Sequence, residues 1–314
     1  MQTILGAGGG IGAPLAEELR KYTSALRLVS RHPESTNPSD ECVAADLLNK
    51  TQVMDAVRGS DIVYLTAGLV YNTKIWEAQW PVIMRNVLDA CEVHKAKLLF
   101  FDNVYGIGGD NVKHITEESP LSPVSKKGTV RAALDRMILE ASEKGKVQTI
   151  IARCADYFGP VPDNRSPLIE TVYKNLKNAK AAYWFCDADV KHSITYVPDA
   201  AKAVALLGNT PDAFNQIWNL PTSAESPTGR QWVELFAAEL RTPAKTQILS
   251  RGMCRIVGLF VPVLRESVEM LYQYDRDYIF DSAKFTRRFN IQPTPPKDAV
   301  RHTVEILAKK TPAA

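Results

Sequence analysis

The chain has 314 residues, 45% of them hydrophobic and 23% charged, and 38 basic against 35 acidic side chains leave a net charge of +3. That length suits one large α/β domain, or one domain plus a smaller lobe. The scattered basic residues form no Lys/Arg stripe of the kind a nucleic-acid binder carries. The five cysteines (Cys42, Cys91, Cys154, Cys186 and Cys254) make no C-x-x-C pair, and the five histidines are equally dispersed. Neither a disulfide framework nor a metal site is expected, and a reducing cytoplasm is the expected setting.

In chain order, strands are expected at Thr3–Leu5, Leu26–Ser30, Cys42–Ala45, Ile62–Ala67, Lys97–Phe101 and Thr149–Cys154. Amphipathic helices are expected at Ile11–Tyr22, Trp76–His94 and Thr129–Glu143, the last with Val130, Ala133, Leu134, Met137 and Ile138 on one face. Strands and helices alternating at this spacing imply an α/β fold, a Rossmann-type doubly wound parallel sheet. The first strand runs straight into glycines, with no basic segment or cleavage site of a signal peptide.

After about residue 155 proline becomes frequent (Pro160, Pro162, Pro167, Pro198, Pro211, Pro221, Pro227) and only Gln231–Leu240 is clearly amphipathic. We read 1–155 as a dinucleotide-binding domain. The span 156–314 reads as mainly a smaller substrate lobe, with some segments returning to the sheet. The apolar run Ile256–Leu264 holds Pro262 and is flanked by Arg255 and Arg265. It is too short to cross a bilayer, so no membrane insertion is expected. It fits a surface helix pair, a lid, plain core, or a membrane-surface or subunit contact.

The first chemical motif is G-x-x-G-x-x-G at Gly6, Gly9 and Gly12, with Gly10 and Ile11 inside it. It follows a strand and opens a helix, the context in which glycines let a pyrophosphate approach the backbone and the helix N-terminus binds the anion. The second strand ends in Ser30-Arg31, where a carboxylate would bind the ribose hydroxyls of NAD; an arginine pairs instead with the 2′-phosphate of NADP. NADP(H) is therefore the preferred expectation and NAD the alternative. Asp46, after the third strand, is either a ligand contact or the cap of the following helix.

From here the sequence resembles the extended short-chain dehydrogenase/reductases, the NAD-dependent epimerase/dehydratase group, nearly end to end. The resemblance rests on the glycine spacing, Leu65-Thr66-Ala67-Gly68, Asn103-Val104-Tyr105-Gly106 and Ala152–Pro160. It continues in His192–Ala201, Phe280–Lys284 and Pro293-Thr294-Pro295. It implies cofactor contacts from Asp46 and Leu47 at the adenine, from Thr66, Ala67 and Gly68 beside the cofactor, and from Asn103, Lys127, Ala155, Tyr157 and Phe158.

The family carries Y-x-x-x-K on a helix, a tyrosine for proton transfer and a lysine one turn on. Here Lys127 stands in the tyrosine's place and Arg131 in the lysine's, while Asp102-Asn103 replaces the Ser/Thr pair that orients substrate. An arginine stays charged near neutral pH and is a poor proton donor, although it can bind ribose or phosphate. Lys127, Tyr105, Asn103 and Arg131 are the candidate catalytic residues. The alternative is that Lys126, Lys127 and Arg131 form a solvated basic helix start.

The aromatic residues Tyr157, Phe158, Trp184, Phe185 and Tyr196 suit a pocket wall or a lobe core. The expected function is an NADP(H)-dependent oxidoreductase or epimerase-like enzyme, acting on a small carbonyl, hydroxyl or nucleotide-sugar substrate. The alternative is a non-catalytic NADP(H) sensor. Either a homodimer or a monomer is compatible with the sequence.

Overall fold

The computed structural model describes residues 1–35, 37–161 and 166–310; Pro162 lies outside them. Its strands are β1 (Gln2–Leu5), β2 (Leu26–Ser30), β3 (Glu41–Ala44), β4 (Ile62–Leu65), β5 (Lys97–Asp102), β6 (Thr149–Arg153), β7 (Asp156–Phe158), β8 (Ala182–Phe185), β9 (Ile194–Tyr196), β10 (Gln216–Asn219) and β11 (Thr246–Leu249). The helices are α1 (Gly12–Leu19), α2 (Lys50–Val57), α3 (Thr73–His94), α4 (Lys126–Glu143), α5 (Lys174–Lys177) and α6 (Val197–Gly208). Then follow α7 (Gly229–Leu240), α8 (Arg251–Val257), α9 (Pro262–Ser267), α10 (Ala283–Phe289) and α11 (Pro296–Lys310). The chain divides into two compact units: Met1–Gly106, Leu121–Cys154 and Ala200–Leu220 in the first, and Ile107–Pro120, Ala155–Asp199 and Pro221–Ala314 in the second.

The first unit holds a seven-stranded sheet in the order β10-β6-β5-β4-β1-β2-β3, with every neighbouring pair parallel. This is the doubly wound arrangement expected from the alternating pattern, with β10 added beside β6. A parallel sheet is covered on both faces, so its central strands are apolar at successive positions. β1 and β4 are accordingly buried at every residue. β1 lies between β2 and β4, with Leu5 opposite Val29 and Leu65. The strand order reverses there, and in open α/β sheets the crevice at the reversal point receives the ligand.

Several helix boundaries differ from the sequence expectation, and side-chain caps explain those of the third and fourth helices. The third helix begins at Thr73 because the Asn72 side chain accepts the Ile75 N–H at 3.1 Å. The fourth begins at Lys126, not Thr129, because Ser125 Oγ accepts the Gly128 N–H at 3.0 Å. α1 stops at Leu19, where Tyr22 and Thr23 turn their N–H groups back to the Leu19 carbonyl.

The second unit pairs β7 with β9 and β8 with β11, both parallel. Its core is aromatic: Phe158 packs against Tyr196, Trp232 and Phe236 at ring-centroid distances of 5.6, 5.2 and 6.2 Å. α7 is started by a capping box in which Thr228 and Gln231 satisfy each other's backbone N–H. The run Ile256–Leu264 forms the pair α8 and α9, and it is not core: Leu259 and Phe260 are 72% and 83% exposed. Among the described residues no helix is long and apolar enough to cross a membrane, and no group of three or more His, Cys, Asp or Glu could hold a metal ion.

α6 ends at Gly208, which lies against the ring of the buried Tyr64; an added Cβ would overlap the phenol oxygen. That hydroxyl is fixed by donating to Gln2 Oε1 at 2.8 Å. Gly208→Ala is expected to destabilise the first unit by about 1–3 kcal/mol through overpacking, measured by urea denaturation. An unchanged midpoint would mean that the Tyr64 ring yields freely.

Candidate functional site

The turn after β1 is built so that only glycine fits. Gly6 has φ +102°, and a Cβ there would sit 2.5 Å from the Ala67 backbone nitrogen and Cα. A Cβ on Gly12 would overlap the carbonyl oxygens of Gly6 and Ala7. The turn is closed by Gly9 N–H on Gly6 O at 3.0 Å, and it is tied to β2 by Gly6 N–H on Val29 O at 2.8 Å. Among the described residues no backbone acceptor meets the N–H groups of Gly10 and Ile11. No acidic residue stands in the first turn of α1, so nothing in that turn opposes an anion at its positive end. Thr66 and Ala67, at the end of β4, close the other side of the cradle: the Thr66 carbonyl lies 3.5 Å from the Cβ position of Gly9. Gly68 follows in the same loop.

At the end of β2, the Ser30 hydroxyl is buried and has no hydrogen-bond partner. A polar atom in that state costs free energy unless something else satisfies it. Arg31 is exposed, and no described carboxylate pairs with it. Asp46 does not cap α2; Asn49 does, accepting Gln52 N–H at 3.1 Å. Asp46 instead accepts Leu48 N–H at 3.0 Å. Asn86, on α3, donates to the carbonyls of Leu47 and Leu48 at 3.0 and 3.2 Å and so fixes this loop.

The helix start at 126–131 is not a solvated basic surface. Lys126 is exposed, but Lys127 is 0% and Arg131 4% exposed. Lys127 Nζ donates to Thr73 Oγ1 at 2.9 Å and lies 4.6 Å from the Tyr71 ring centroid. Arg131 donates through Nε to Asp102 Oδ1 at 2.5 Å, and a terminal guanidinium nitrogen reaches the same oxygen. The Arg131 guanidinium lies over the rings of Trp80 and Phe100, each at 4.8 Å. One turn further, Asp135 accepts from Arg153 at 2.9 Å. Burial pushes the Asp135 carboxyl well above the usual range, with the Asp102 charge adding to it and Arg153 opposing it.

Asn103 uses its Oδ1 to accept Tyr105 N–H at 3.0 Å, which leaves its Nδ2 without an acceptor among the described residues. The half-buried Tyr105 ring stacks on Trp76 at 6.2 Å and 16°.

The remaining proposed cofactor contacts belong to the second unit. There Ala155 donates its N–H to Thr195 Oγ1 at 3.2 Å and the Phe158 side chain is core. Tyr157 lines a cleft with Trp184, Phe185 and Tyr274. Asp156, in the same cleft, accepts Tyr274 O–H at 2.7 Å and lies 3.2 Å from His192 Nε2. Of the expected aromatic wall, Tyr157, Trp184 and Phe185 line this cleft and Phe158 and Tyr196 line a second one with Asp199, Thr222 and Trp232, while Phe158, Trp184 and Tyr196 also belong to the unit's core.

Sequence reasoning missed Thr73, Tyr71, Asn86 and the Asp135–Arg153 pair. A signal was present for one of them. Lys127, Arg131 and Asp135 are spaced four apart, on the helical face they share with the apolar Val130, Leu134 and Ile138.

A model of the NAD dependent epimerase/dehydratase family matches residues 3–220. A 3beta-hydroxysteroid-dehydrogenase/decarboxylase isoform of Arabidopsis thaliana is 24% identical over 298 residues, covering 84% of this chain and 66% of that protein. A uronate dehydrogenase of Pseudomonas putida is 26% identical, covering 51% of this chain and 62% of its own. The chain thus spans about two thirds or less of these curated relatives. The fold is also similar to a Thermus thermophilus UDP-glucose 4-epimerase solved with NAD, with a TM-score of 0.79 at 16% identity over 99% of this chain and 100% of that one.

Removing one partner of a buried ion pair strands the other charge. Arg131→Ala is expected to cost about 3–5 kcal/mol of stability, read by chemical denaturation in the absence of any nucleotide. A loss below about 1 kcal/mol would show that Arg131 does not hold Asp102.

Proposed function

The chain belongs to the NAD dependent epimerase/dehydratase family, and on that premise we propose that it is an NADP(H)-dependent oxidoreductase of a small carbonyl or hydroxyl substrate with a lysine-based proton route. The observation that carries the cofactor reading is the cradle at Gly6–Gly12, whose closest points any Cβ would fill. Gly10 and Ile11 offer N–H groups to the pyrophosphate. The orphaned Ser30 hydroxyl supports a ribose at the end of β2, and the unpaired Arg31 supports a 2′-phosphate on it. Asp46 and Leu47, in the loop that Asn86 fixes through the Leu47 and Leu48 carbonyls, would contact the adenine, and Thr66, Ala67 and Gly68 would border the cofactor.

When bound, the reduced nicotinamide supplies hydride to a carbonyl carbon. This chain must then deliver a proton to the carbonyl oxygen. Lys127 is fully enclosed, and the half-buried Thr73 hydroxyl that accepts its N–H offers a route from it to a substrate. Thr73 passes its proton to the developing alkoxide and takes one from the Lys127 ammonium, which becomes neutral. The free Nδ2 of Asn103 donates to the substrate oxygen and orients it, with Tyr105 lining the approach. Arg131 serves by fixing Asp102, and through it Asn103, whose N–H donates to Asp102 Oδ1 at 2.7 Å.

A second reading, a non-catalytic NADP(H) sensor, is favoured by one observation: both replacements, Lys127 and Arg131, are enclosed and partnered. It predicts binding without turnover.

Nucleotide titration followed by nicotinamide fluorescence is expected to show NADPH binding at least about tenfold tighter than NADH, about 1.4 kcal/mol, and Arg31→Ala should erase the difference. NADH binding as tightly as NADPH would remove the NADP assignment. In a carbonyl-reduction screen, Thr73→Val and Lys127→Met should each lower turnover by about 10²-fold while leaving the Kd for NADPH within about threefold. Undiminished turnover in both would move the proton donor to Tyr105. No turnover on any carbonyl substrate, with tight NADPH binding, would establish the sensor.

A further inference from the structure

Of the fourteen exposed large hydrophobic residues among the described ones, seven fall between Met253 and Val263. The rest are scattered singly along the chain and need no explanation. The seven belong to one element, the hairpin of α8 and α9. Its tip is the most apolar exposed point of the second unit, with Leu259 at 72% and Phe260 at 83% exposure, flanked by Ile256 at 65% and Val263 at 60%.

The hairpin is built, not frayed. Ser250 caps α8 by accepting Met253 N–H at 3.2 Å, and the buried Cys254 roots it in the unit. Gly258 lets the two helices touch: a Cβ there would lie 3.0 Å from the Arg265 Cα. The backbone of the turn satisfies itself. The N–H groups of Gly258, Leu259, Phe260 and Val261 donate to Cys254, Ile256, Val257 and Val257 carbonyls at 2.9, 3.1, 3.0 and 2.9 Å. Donors satisfied internally are the condition for backbone to enter a layer where water is scarce.

Charge decides what covers such a tip. The hairpin from Ser250 to Ser267 contains Arg251, Arg255 and Arg265 against one acidic residue, Glu266, whereas the whole chain is nearly balanced. Arg251 is paired with Asp275 at 2.6 Å; Arg255 and Arg265 are exposed and have no carboxylate partner among the described residues. A second copy meeting this hairpin about a two-fold axis would face Arg255 and Arg265 with their own equivalents, a like-charge contact. The patch is also a narrow tip, where a stable protein interface takes about 800 Å² per partner. An apolar tip ringed by unpaired arginines is instead complementary to anionic headgroups over a hydrocarbon layer.

We propose that the α8–α9 hairpin docks this protein onto anionic membrane surfaces, with Leu259 and Phe260 entering the headgroup boundary and Arg255 and Arg265 pairing with lipid phosphates and carboxylates. This is attachment at the interface and not a span.

The test is flotation of the full chain with vesicles of phosphatidylcholine alone or mixed with phosphatidylserine. Binding is expected to the mixed vesicles and to weaken severalfold at about 1 M salt, where the screening length falls to about 3 Å. The double variant Leu259→Glu/Phe260→Glu should lower the partition coefficient at least about tenfold, and Arg255→Ala/Arg265→Ala severalfold. Phe260→Trp, a conservative change that keeps the fold, should give an indole emission quenched by bromine-labelled lipid in the mixed vesicles. Absence of binding by the unmodified chain, binding that the tip variants retain, or an unquenched indole overturns the proposal. So does a dimer in light scattering that the double variant splits, since the tip would then be covered by a second copy.

Discussion

A guanidinium group with almost no water around it must find a carboxylate, and two such groups organise the first unit. Arg131, on α4, closes on Asp102 at the end of β5, and Arg153, at the end of β6, closes on Asp135 of the same helix. Each charge is buried, so neither pair is a surface decoration worth a few tenths of a kcal/mol. The desolvation cost of each ion is several kcal/mol, offset only while its partner holds position. The helix is therefore clamped in register over two adjacent parallel strands. The loop after β5, with Asn103 and Tyr105, inherits that register: the Asn103 N–H donates to the same Asp102 oxygen that Arg131 grips.

If position 131 stands where the family motif has its lysine, as our reading has it, this clamp gives it a different task. A lysine is a point charge on a flexible stem, and it can swing toward a ligand. An arginine held by its Nε and flanked by the rings of Trp80 and Phe100 is committed to the interior. In our reading the proton route runs through Lys127 and Thr73, beside the cradle that the glycines form.

Most of the sheet was legible in the sequence because a buried parallel strand must be apolar at successive positions. Leu26–Ser30 is bounded to the residue, and the other five early strands agree within one or two residues. β10 was not visible, since Gln216–Asn219 is a four-residue edge strand with polar ends. The cradle was legible for a local reason: a positive φ at Gly6 and a carbonyl contact at Gly12 are steric demands on the residues themselves. The catalytic region was not, because it depends on which charged side chains face inward. Lys127 and Arg131 read equally well as solvent-facing; Asp102 at the end of β5 draws Arg131 inward, and Thr73 with the Tyr71 ring receives Lys127. The hairpin at Ile256–Leu264 fits core, lid or surface by composition alone. Its exposure follows from how few buried residues α8 and α9 contribute, and that is a property of packing.

The two halves of the nucleotide chemistry therefore rest on different physics. In our reading cofactor capture is a backbone property, set by three glycines and the end of one helix. The proton route we propose is a side-chain property, set by what the enclosed groups touch. In our reading of the motif, changing Lys127 to tyrosine and Arg131 to lysine would break the contacts that hold this interior together. Asp102 would lose the two donors that one arginine supplies to a single carboxylate oxygen, and the space beside Trp80 and Phe100 would hold a stem where a planar cation now stacks. Arg131 answers to Asp102 and Lys127 to Thr73 and the Tyr71 ring, so the two buried cations are held by different partners one helical turn apart.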